Sequence, residues 1–133
     1  MQQERVKMEY TLADTDFLVS QTDSKGIILF ANEDFCKIAG YKLEELIGKP
    51  HNIVRHPDMP KAAFKDLWDT VKSGRVWKGY VQNATKNGGY YWVFATVYPN
   101  IACGESDHGY MSCRRKASPA EIKAAEELYK TMR

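Results

Sequence analysis

The sequence predicts an α+β fold, in which a five-stranded antiparallel sheet carries short helices over one face and flanking helices at the ends of the chain. Two short β-rich runs come first, several helical stretches follow, and three further β-rich runs precede a last amphipathic helix. With 133 residues, the chain has no room for a second independent core, so one domain is expected.

The first two strands are expected to form a hairpin. Phe17 to Thr22 and Gly26 to Ala31 are rich in β-forming residues, and residues 23–26 between them supply turn chemistry. Residues 1–16 are polar with scattered apolar positions. They are expected to form a short leading helix or a flexible cap.

Helices are expected in the middle of the chain. Asn32 stands at an N-cap position ahead of an apolar stripe that Gly40 ends, and a short helical turn follows at residues 43–47. Residues 61–72 carry apolar side chains at helical spacing. Asp58 is expected to cap this helix, although a ligand contact is an equal alternative for its carboxylate.

The next two strands form the clearest hairpin of the chain. Trp77 to Thr85 and Tyr90 to Pro99 flank an Asn87-Gly88 pair, which is among the strongest short hairpin signals. Strand alternation puts Trp77 and Asn83 on the same face, in a row that is otherwise apolar.

A polar loop at residues 102–107 leads to the last predicted strand, residues 109–115. The basic cluster of residues 114–116 ends this strand and is expected to form a solvated edge. The closing helix begins at Ser118, which forms a capping box with Glu121.

Composition excludes several classes of protein. Nineteen basic and 17 acidic residues give a net charge of +2, so no nucleic-acid partner is expected. Three cysteines without a CxxC spacing suggest neither zinc nor a redox dithiol and favour a reduced, cytoplasmic setting. The N-terminus is polar, and no apolar run approaches the ~18 residues that span a bilayer. Attachment to an inner-membrane receptor stays open, but no membrane contact is expected of this segment.

Enzymatic activity is not expected either. The chain has no glycine-rich phosphate loop and no nucleophile elbow, and its three histidines lack metal-ligand spacing.

In their order, these segments resemble the PAS family. The resemblance rests on the hairpin 23–28, the continuation 31–35, the helical segment 40–50 and the turn and strand 86–93, and it covers about residues 14–117. It implies an N-terminal cap over residues 1–16, a PAS sensor domain over 17–117 and a C-terminal linker helix over 118–133.

One segment resembles a specific subgroup of this family. Residues 50–60, PHNIVRHPDMP, are similar to the flavin-binding PAS domains of bacterial aerotaxis and energy-taxis receptors, and so are residues 77–83 and 122–129. In those receptors FAD is held non-covalently and its redox state is the signal. Carried over residue by residue, the resemblance implies cofactor-binding roles for Arg55, His56, Asp58, Trp77, Asn83 and Asn32.

The chemistry of these side chains agrees with that implication. The guanidinium of Arg55 suits a phosphate or a carbonyl edge, His56 exchanges a proton near neutral pH, and the amide of Asn83 suits the polar edge of a ring. The resemblance therefore implies a sensor of redox state, oxygen or cellular energy. Its expected partners are a flavin, a second copy in a homodimer, and a chemoreceptor signalling domain in cis or in trans.

Two other functions stay open. The domain could be a cofactor-free dimerisation or interaction module that uses its amphipathic ends, roughly residues 2–12 and 118–132. It could also be a haem sensor, although residues 61–72, where haem-binding PAS domains typically place their histidine, contain none. A photochemical flavin adduct is disfavoured, because residues 54–58 contain no cysteine. Asn32 as a helix cap and Trp77 as a core residue are the structural alternatives to ligand contact.

Overall fold

The computed structural model describes residues 9–99 and 109–132. In these residues the strands are β1 (Glu9–Tyr10), β2 (Phe17–Thr22), β3 (Ile28–Ala31), β4 (Trp77–Ala84), β5 (Tyr90–Pro99) and β6 (Tyr110–Lys116). The helices are α1 (Glu33–Ala39), α2 (Leu43–Leu46), a 3-10 helix (His51–Val54), α3 (Lys61–Lys72) and α4 (Pro119–Met132). The predicted loop at 102–107 and the first eight residues of the predicted cap lie outside the described residues.

The sheet contains the five predicted antiparallel strands. Its order is β3-β2-β6-β5-β4, and every neighbouring pair in that row is antiparallel. The α+β class and the five antiparallel strands are therefore confirmed. The second strand of the first hairpin begins at Ile28, two residues later than predicted.

The prediction of a leading helix or flexible cap is wrong at residues 9–10. These residues form β1, which pairs in parallel with Tyr90 and Tyr91 of β5 and makes the sheet mixed. The pairing between β5 and β6 reaches only to Val93, so the start of β5 has backbone groups available on that side. A two-residue strand satisfies them.

The predicted helix caps are largely confirmed. The Oδ1 atom of Asn32 accepts a hydrogen bond from the backbone N–H of Phe35 at 3.0 Å, and Gly40 ends α1 in the left-handed region with φ 83°. The carboxylate of Glu121 accepts from the N–H of Ser118 at 2.9 Å, and the Ser118 hydroxyl accepts from the N–H of Glu121 at 3.2 Å.

The cap predicted for Asp58 is wrong. The helix α3 begins at Lys61, and the residue at its N-cap position is Pro60, with no side-chain cap hydrogen bond. Proline fits this position because its missing N–H and fixed φ suit the start of a helix.

Residues 50–60, which we call the clasp, join the two edges of the sheet. At one end Pro50 bridges Ile27 beside β3, and further on Arg55 bridges Asn83 of β4. The first part of the clasp, His51–Val54, is a 3-10 helix. Because both edges hold it, the clasp crosses one face of the sheet.

Helices cover the two faces of the sheet unequally. Tyr91 and Trp92 are consecutive in β5 and so point to opposite faces. Tyr91 is fully buried on the face covered by α1, α3 and the clasp. On the other face Trp92 stacks on Tyr129 of α4, with ring centroids 6.2 Å apart and planes at 21°.

Candidate functional site

A cavity of about 290 Å³ lies between the sheet and the layer formed by α3 and the clasp. This volume is near the lower end of the ~300–1,000 Å³ typical of small-molecule sites. About half of its lining residues are polar or charged, and most of the others are apolar. The apolar walls are Phe64, Leu67, Trp68, Val81, Ala95 and Val97.

The polar inner end of the cavity is built by β2, β6 and the clasp. The Nη1 atom of Arg114 donates to the hydroxyl of Ser20 at 3.2 Å. That hydroxyl lies 3.0 Å from Nε2 of His51, and Nη2 of Arg114 lies 3.4 Å from the same nitrogen. The three side chains therefore form one connected network.

The network determines the state of His51. A guanidinium has only donors, so the hydroxyl of Ser20 accepts from Arg114 and gives its own proton to Nε2 of His51. The ring therefore carries its proton on Nδ1. Burial, and then the charge of Arg114, lower the pKa of His51 to about 3, so it is neutral at physiological pH.

The expectation of a solvated basic edge is wrong for Arg114. Its side chain is 6% exposed and lines the cavity, while the next residue, Arg115, points outward and is exposed. Strand alternation explains the difference, because consecutive side chains of β6 leave opposite faces. Burial lowers the pKa of Arg114, which nevertheless stays charged.

Two buried polar atoms of this inner end have no hydrogen-bond partner among the described residues. They are Nε of Arg114 and the hydroxyl oxygen of Ser112, and both side chains line the cavity. No carboxylate of residues 9–99 or 109–132 forms an ion pair with Arg114. A buried guanidinium with an unpartnered N–H and no carboxylate, and a buried hydroxyl without a hydrogen-bond partner, are costly. The arrangement fits a ligand that presents a hydrogen-bond acceptor with negative charge.

Two of the six predicted residues line this cavity, and a backbone bridge joins them. Arg55 lies with its guanidinium 4.6 Å from the ring centroid of Phe64, and Asn83 is 2% exposed. The Nδ2 atom of Asn83 donates to the hydroxyl of Tyr91 at 3.4 Å. Both side chains can therefore reach a group inside the cavity.

His56 and Asp58 lie outside the lining. The ring of His56 packs edge-on against Tyr90 with centroids 5.7 Å apart, and its Nδ1 accepts from the backbone N–H of Asp58 at 3.0 Å. The carboxylate of Asp58 is 3.8 Å from the same nitrogen. Neither side chain of this pair lines the cavity, and its contact with a ligand stays a prediction.

Trp77 and Asn32 also lie outside the lining. The indole N–H of Trp77 donates to the carboxylate of Asp66 on α3 at 2.9 Å, and its ring covers Gly79. The amide of Asn32 caps α1 and also bonds the backbone of β2, accepting from the N–H of Val19 at 3.1 Å. Each has a structural role here, and ligand contact stays a prediction for both.

Sequence reasoning missed the inner end of the cavity, which is formed by Ser20, His51, Ser112 and Arg114. One signal was available. Ser112 and Arg114 stand two residues apart in a predicted strand, so they share a face. Polar residues at alternate positions of a central strand would have indicated a polar site rather than a solvated edge.

The described residues form neither a metal-binding cluster nor a membrane-spanning helix. No three side chains among histidine, cysteine, aspartate and glutamate gather in a way that could hold a metal ion. No helix in the described part of the chain is long and apolar enough to cross a bilayer.

Comparison with known families and curated proteins identifies relatives. The family model described as PAS fold matches residues 28–106. The aerotaxis receptor of Escherichia coli K12 is 51% identical over 121 residues, which cover 91% of this chain and 24% of the receptor. The nitrogen fixation regulatory protein of Klebsiella oxytoca is 29% identical over 101 residues, 75% of this chain and 20% of that protein. The chain thus spans between a fifth and a quarter of these relatives.

Solved structures agree on the fold. A light-oxygen-voltage domain studied with a flavin analogue matches with a TM-score of 0.71 at 19% identity, over 88% of this chain and 87% of that one. A PAS domain from Colwellia psychrerythraea matches with a TM-score of 0.63 at 22% identity, over 77% of this chain and 87% of that one. At these identities the likeness concerns the fold alone.

Proposed function

The chain belongs to the PAS family, and we propose that it senses redox state through FAD bound non-covalently in the cavity described above. The domain is a sensor module and not an enzyme, as its family and its similarity to the aerotaxis receptor indicate. The finer proposal, a flavin as the sensing group, depends on the chemistry of the site.

The inner end of the cavity carries the proposal. There a buried guanidinium and a buried hydroxyl, those of Arg114 and Ser112, have unpartnered donors among the described residues. Such groups are stable in an apolar setting when a ligand supplies acceptors. The polar edge of a flavin ring carries carbonyl and nitrogen acceptors of this kind.

The remaining residues fit the same group. Asn83 offers an amide on the wall formed by β4, and Arg55 offers a cation on the wall formed by the clasp. Apolar side chains between them suit the flat ring. When bound, a flavin supplies reversible electron uptake, and its charge changes with its redox state.

The side chains around the cavity determine how the site responds to such a change of charge. Arg114 is a fixed cation that stabilises added negative charge, and His51 is held neutral with its Nε2 already accepting hydrogen bonds. His51 therefore supplies no proton from Nε2. The response of the site is carried by hydrogen bonds from Arg114, Ser112 and Asn83.

An absorbance spectrum of the freshly purified protein tests the proposal. We expect flavin bands in the blue, and a released cofactor that co-migrates with FAD in chromatography. A Soret band would show a haem sensor instead. A colourless protein that stays colourless after incubation with FAD would support a cofactor-free interaction module. Release of FMN alone would retain flavin sensing but contradict FAD.

The signalling context is part of the same proposal. The aerotaxis receptor relative supports a chemoreceptor signalling domain as the partner, in cis or in trans, and a cytoplasmic site of action. We also propose a homodimer. Sedimentation analysis checks the dimer, and co-purification with a chemoreceptor signalling fragment checks the partner.

A further inference from the structure

The strands β4 and β5 contribute unequally to the cavity. Ala95 and Val97 of β5 line it, whereas their cross-strand partners in β4, Gly79 and Trp77, do not. Directly opposite residues of neighbouring strands leave the same face of a sheet. The cavity would therefore extend over Gly79 if nothing covered it, and a side chain of the same strand provides that cover.

The indole of Trp77 lies over Gly79. A Cβ atom at residue 79 would come within 2.5 Å of the benzo ring of this indole, a distance that packed carbon atoms do not reach. Gly79 does not have a positive φ, so its lack of a side chain serves the ring and not the backbone conformation. Trp77 is 8% exposed, so its ring is a packed part of the space between α3 and β4.

A hydrogen bond attaches this ring to α3. The Nε1 atom of Trp77 donates to a carboxylate oxygen of Asp66 at 2.9 Å. Asp66 directly precedes Leu67, and both Leu67 and Phe64 line the cavity. Part of the inner surface of α3 thus borders an open volume instead of packed side chains. Because tight packing resists local opening, contacts at the flank of this helix contribute more to holding it in place.

We propose that Trp77 is a positioning residue of the ligand site, which fixes the distance between α3 and the sheet through its hydrogen bond to Asp66. Loss of this bond lets α3 move away from β4 and loosens the wall on which a flat ligand packs. Trp77 then contributes to binding without contact with the ligand. That the ligand is a flavin rests on the proposed function, whereas the attachment of α3 is a property of the chain alone.

Amide exchange in flavin-free protein, followed by NMR, tests the attachment. Asp66→Ala removes the acceptor and should accelerate exchange at the backbone amides of Leu67 and Trp68 about 3- to 10-fold, the range for loss of one hydrogen bond. Trp77→Phe removes the donor, keeps an aromatic ring and should accelerate exchange at least as much. Asp66→Ala should have no further effect in the Trp77→Phe background, because the bond is already lost. A full further effect there would overturn the proposal.

Three controls separate this attachment from general loosening. Asp66→Asn keeps an acceptor oxygen for the indole and should recover most of the wild-type protection. Asp69→Ala removes a carboxylate of the same helix that pairs with Lys65 on the exposed side, and it should stay within about twofold of wild type. The amide of Val93 in the middle of β5 reports global opening and should not change. Equal acceleration in Asp69→Ala and Asp66→Ala would mean that any loss of charge loosens α3, and would overturn the role of Trp77.

Gly79→Ala tests the packing of the ring. The added Cβ atom displaces the indole, so exchange at the amides of Leu67 and Trp68 should accelerate as it does in Asp66→Ala. In a Trp77→Phe background the same substitution should have little effect, because phenylalanine lacks the indole atoms that approach Gly79. An equal effect in both backgrounds would show that alanine acts through the strand, and would contradict the proposed role of the ring.

A second arm measures the release of FAD from loaded protein by the rise in flavin fluorescence after dilution. Asp66→Ala and Trp77→Phe should both release FAD about 3- to 10-fold faster, and Asp66→Asn should restore most of the wild-type rate. Faster release in Trp77→Phe alone would show direct contact with the ligand and overturn the positioning role. A wild-type protein that binds no FAD would overturn the proposed function instead, because the exchange measurements need no flavin.

Discussion

The described residues contain two arginine–histidine pairs whose surroundings differ. Arg55 and His56 are neighbours in the clasp, with the carboxylate of Asp58 close to the histidine. Arg114 and His51 are 63 residues apart in the chain, yet their nitrogens lie 3.4 Å from each other in the interior. Among the described residues, no carboxylate pairs with Arg114.

This difference predicts which pair contributes more to ligand binding. A partly exposed pair beside a carboxylate is stabilised by its own neighbours and by water. A buried cation beside a neutral histidine is costly until something of opposite charge arrives. The inner pair is therefore expected to dominate ligand binding, and the clasp pair to modulate it.

The largest effect is expected from Arg114→Met. Removal of a charged donor should weaken FAD binding by about 10- to 150-fold, because charge-assisted hydrogen bonds contribute about 1.5–3 kcal/mol. The change is measured by fluorescence titration with FAD. The matched control is Arg115→Met, since this exposed neighbour on the same strand lies over Phe94 and outside the cavity. Equal affinities in both variants would reverse the ranking of the two pairs.

His51→Gln tests the neutral histidine through pH. The folded pKa of His51 is lowered to about 3, so below pH 6.5 the unfolded state binds a proton that the folded state does not. Stability present above pH 6.5 is therefore lost as the pH falls, by about 1.4 kcal/mol per unit.

Between pH 6.5 and 5 the wild-type protein should lose about 2 kcal/mol more unfolding free energy than His51→Gln. Urea denaturation at each pH measures it. The two proteins differ only at residue 51, so the difference between their profiles isolates His51. Parallel pH profiles would mean that His51 takes up a proton in the folded state.

The clasp pair should show a smaller and unequal effect. Arg55→Ala removes a cation from the cavity wall and should weaken FAD binding about tenfold, or about 1.4 kcal/mol. His56→Ala should weaken it less, since His56 packs against Tyr90 outside the lining. Both variants are titrated with FAD and checked by circular dichroism. Retained stoichiometric flavin in both would exclude the clasp from the site, and a larger loss in His56→Ala would reverse their order.

The smallest effect is expected from Asn32→Ala. Its amide caps α1 and bonds the backbone of β2, so the substitution should cost about 1 kcal/mol of unfolding free energy. FAD affinity should change less than twofold, because Asn32 lies outside the cavity lining. Denaturant melts and flavin titration on one preparation separate the two quantities. A fall in affinity without a fall in stability would restore Asn32 as a ligand contact.

Local signals predicted most of the architecture. The strand pairs, the Asn-Gly hairpin, the cap at Asn32 and the capping box at Ser118 depend on residues close together in the chain, where turn chemistry and alternation act directly. One wrong prediction arose where distant segments meet, and another arose from a neighbouring residue. The two-residue strand β1 exists because β5 extends beyond β6, and Asp58 does not cap α3 because Pro60 takes that position.

Residue patterns alone predict the fold class, the PAS resemblance and a polar segment at residues 50–60. Which polar residues surround the cavity depends on how distant strands pack against that segment. Sequence distance hides contacts such as that between His51 and Arg114, because the sheet brings β6 beneath the clasp. Burial then changes the chemistry, because an arginine expected at a solvated edge is a cation in a low-dielectric interior.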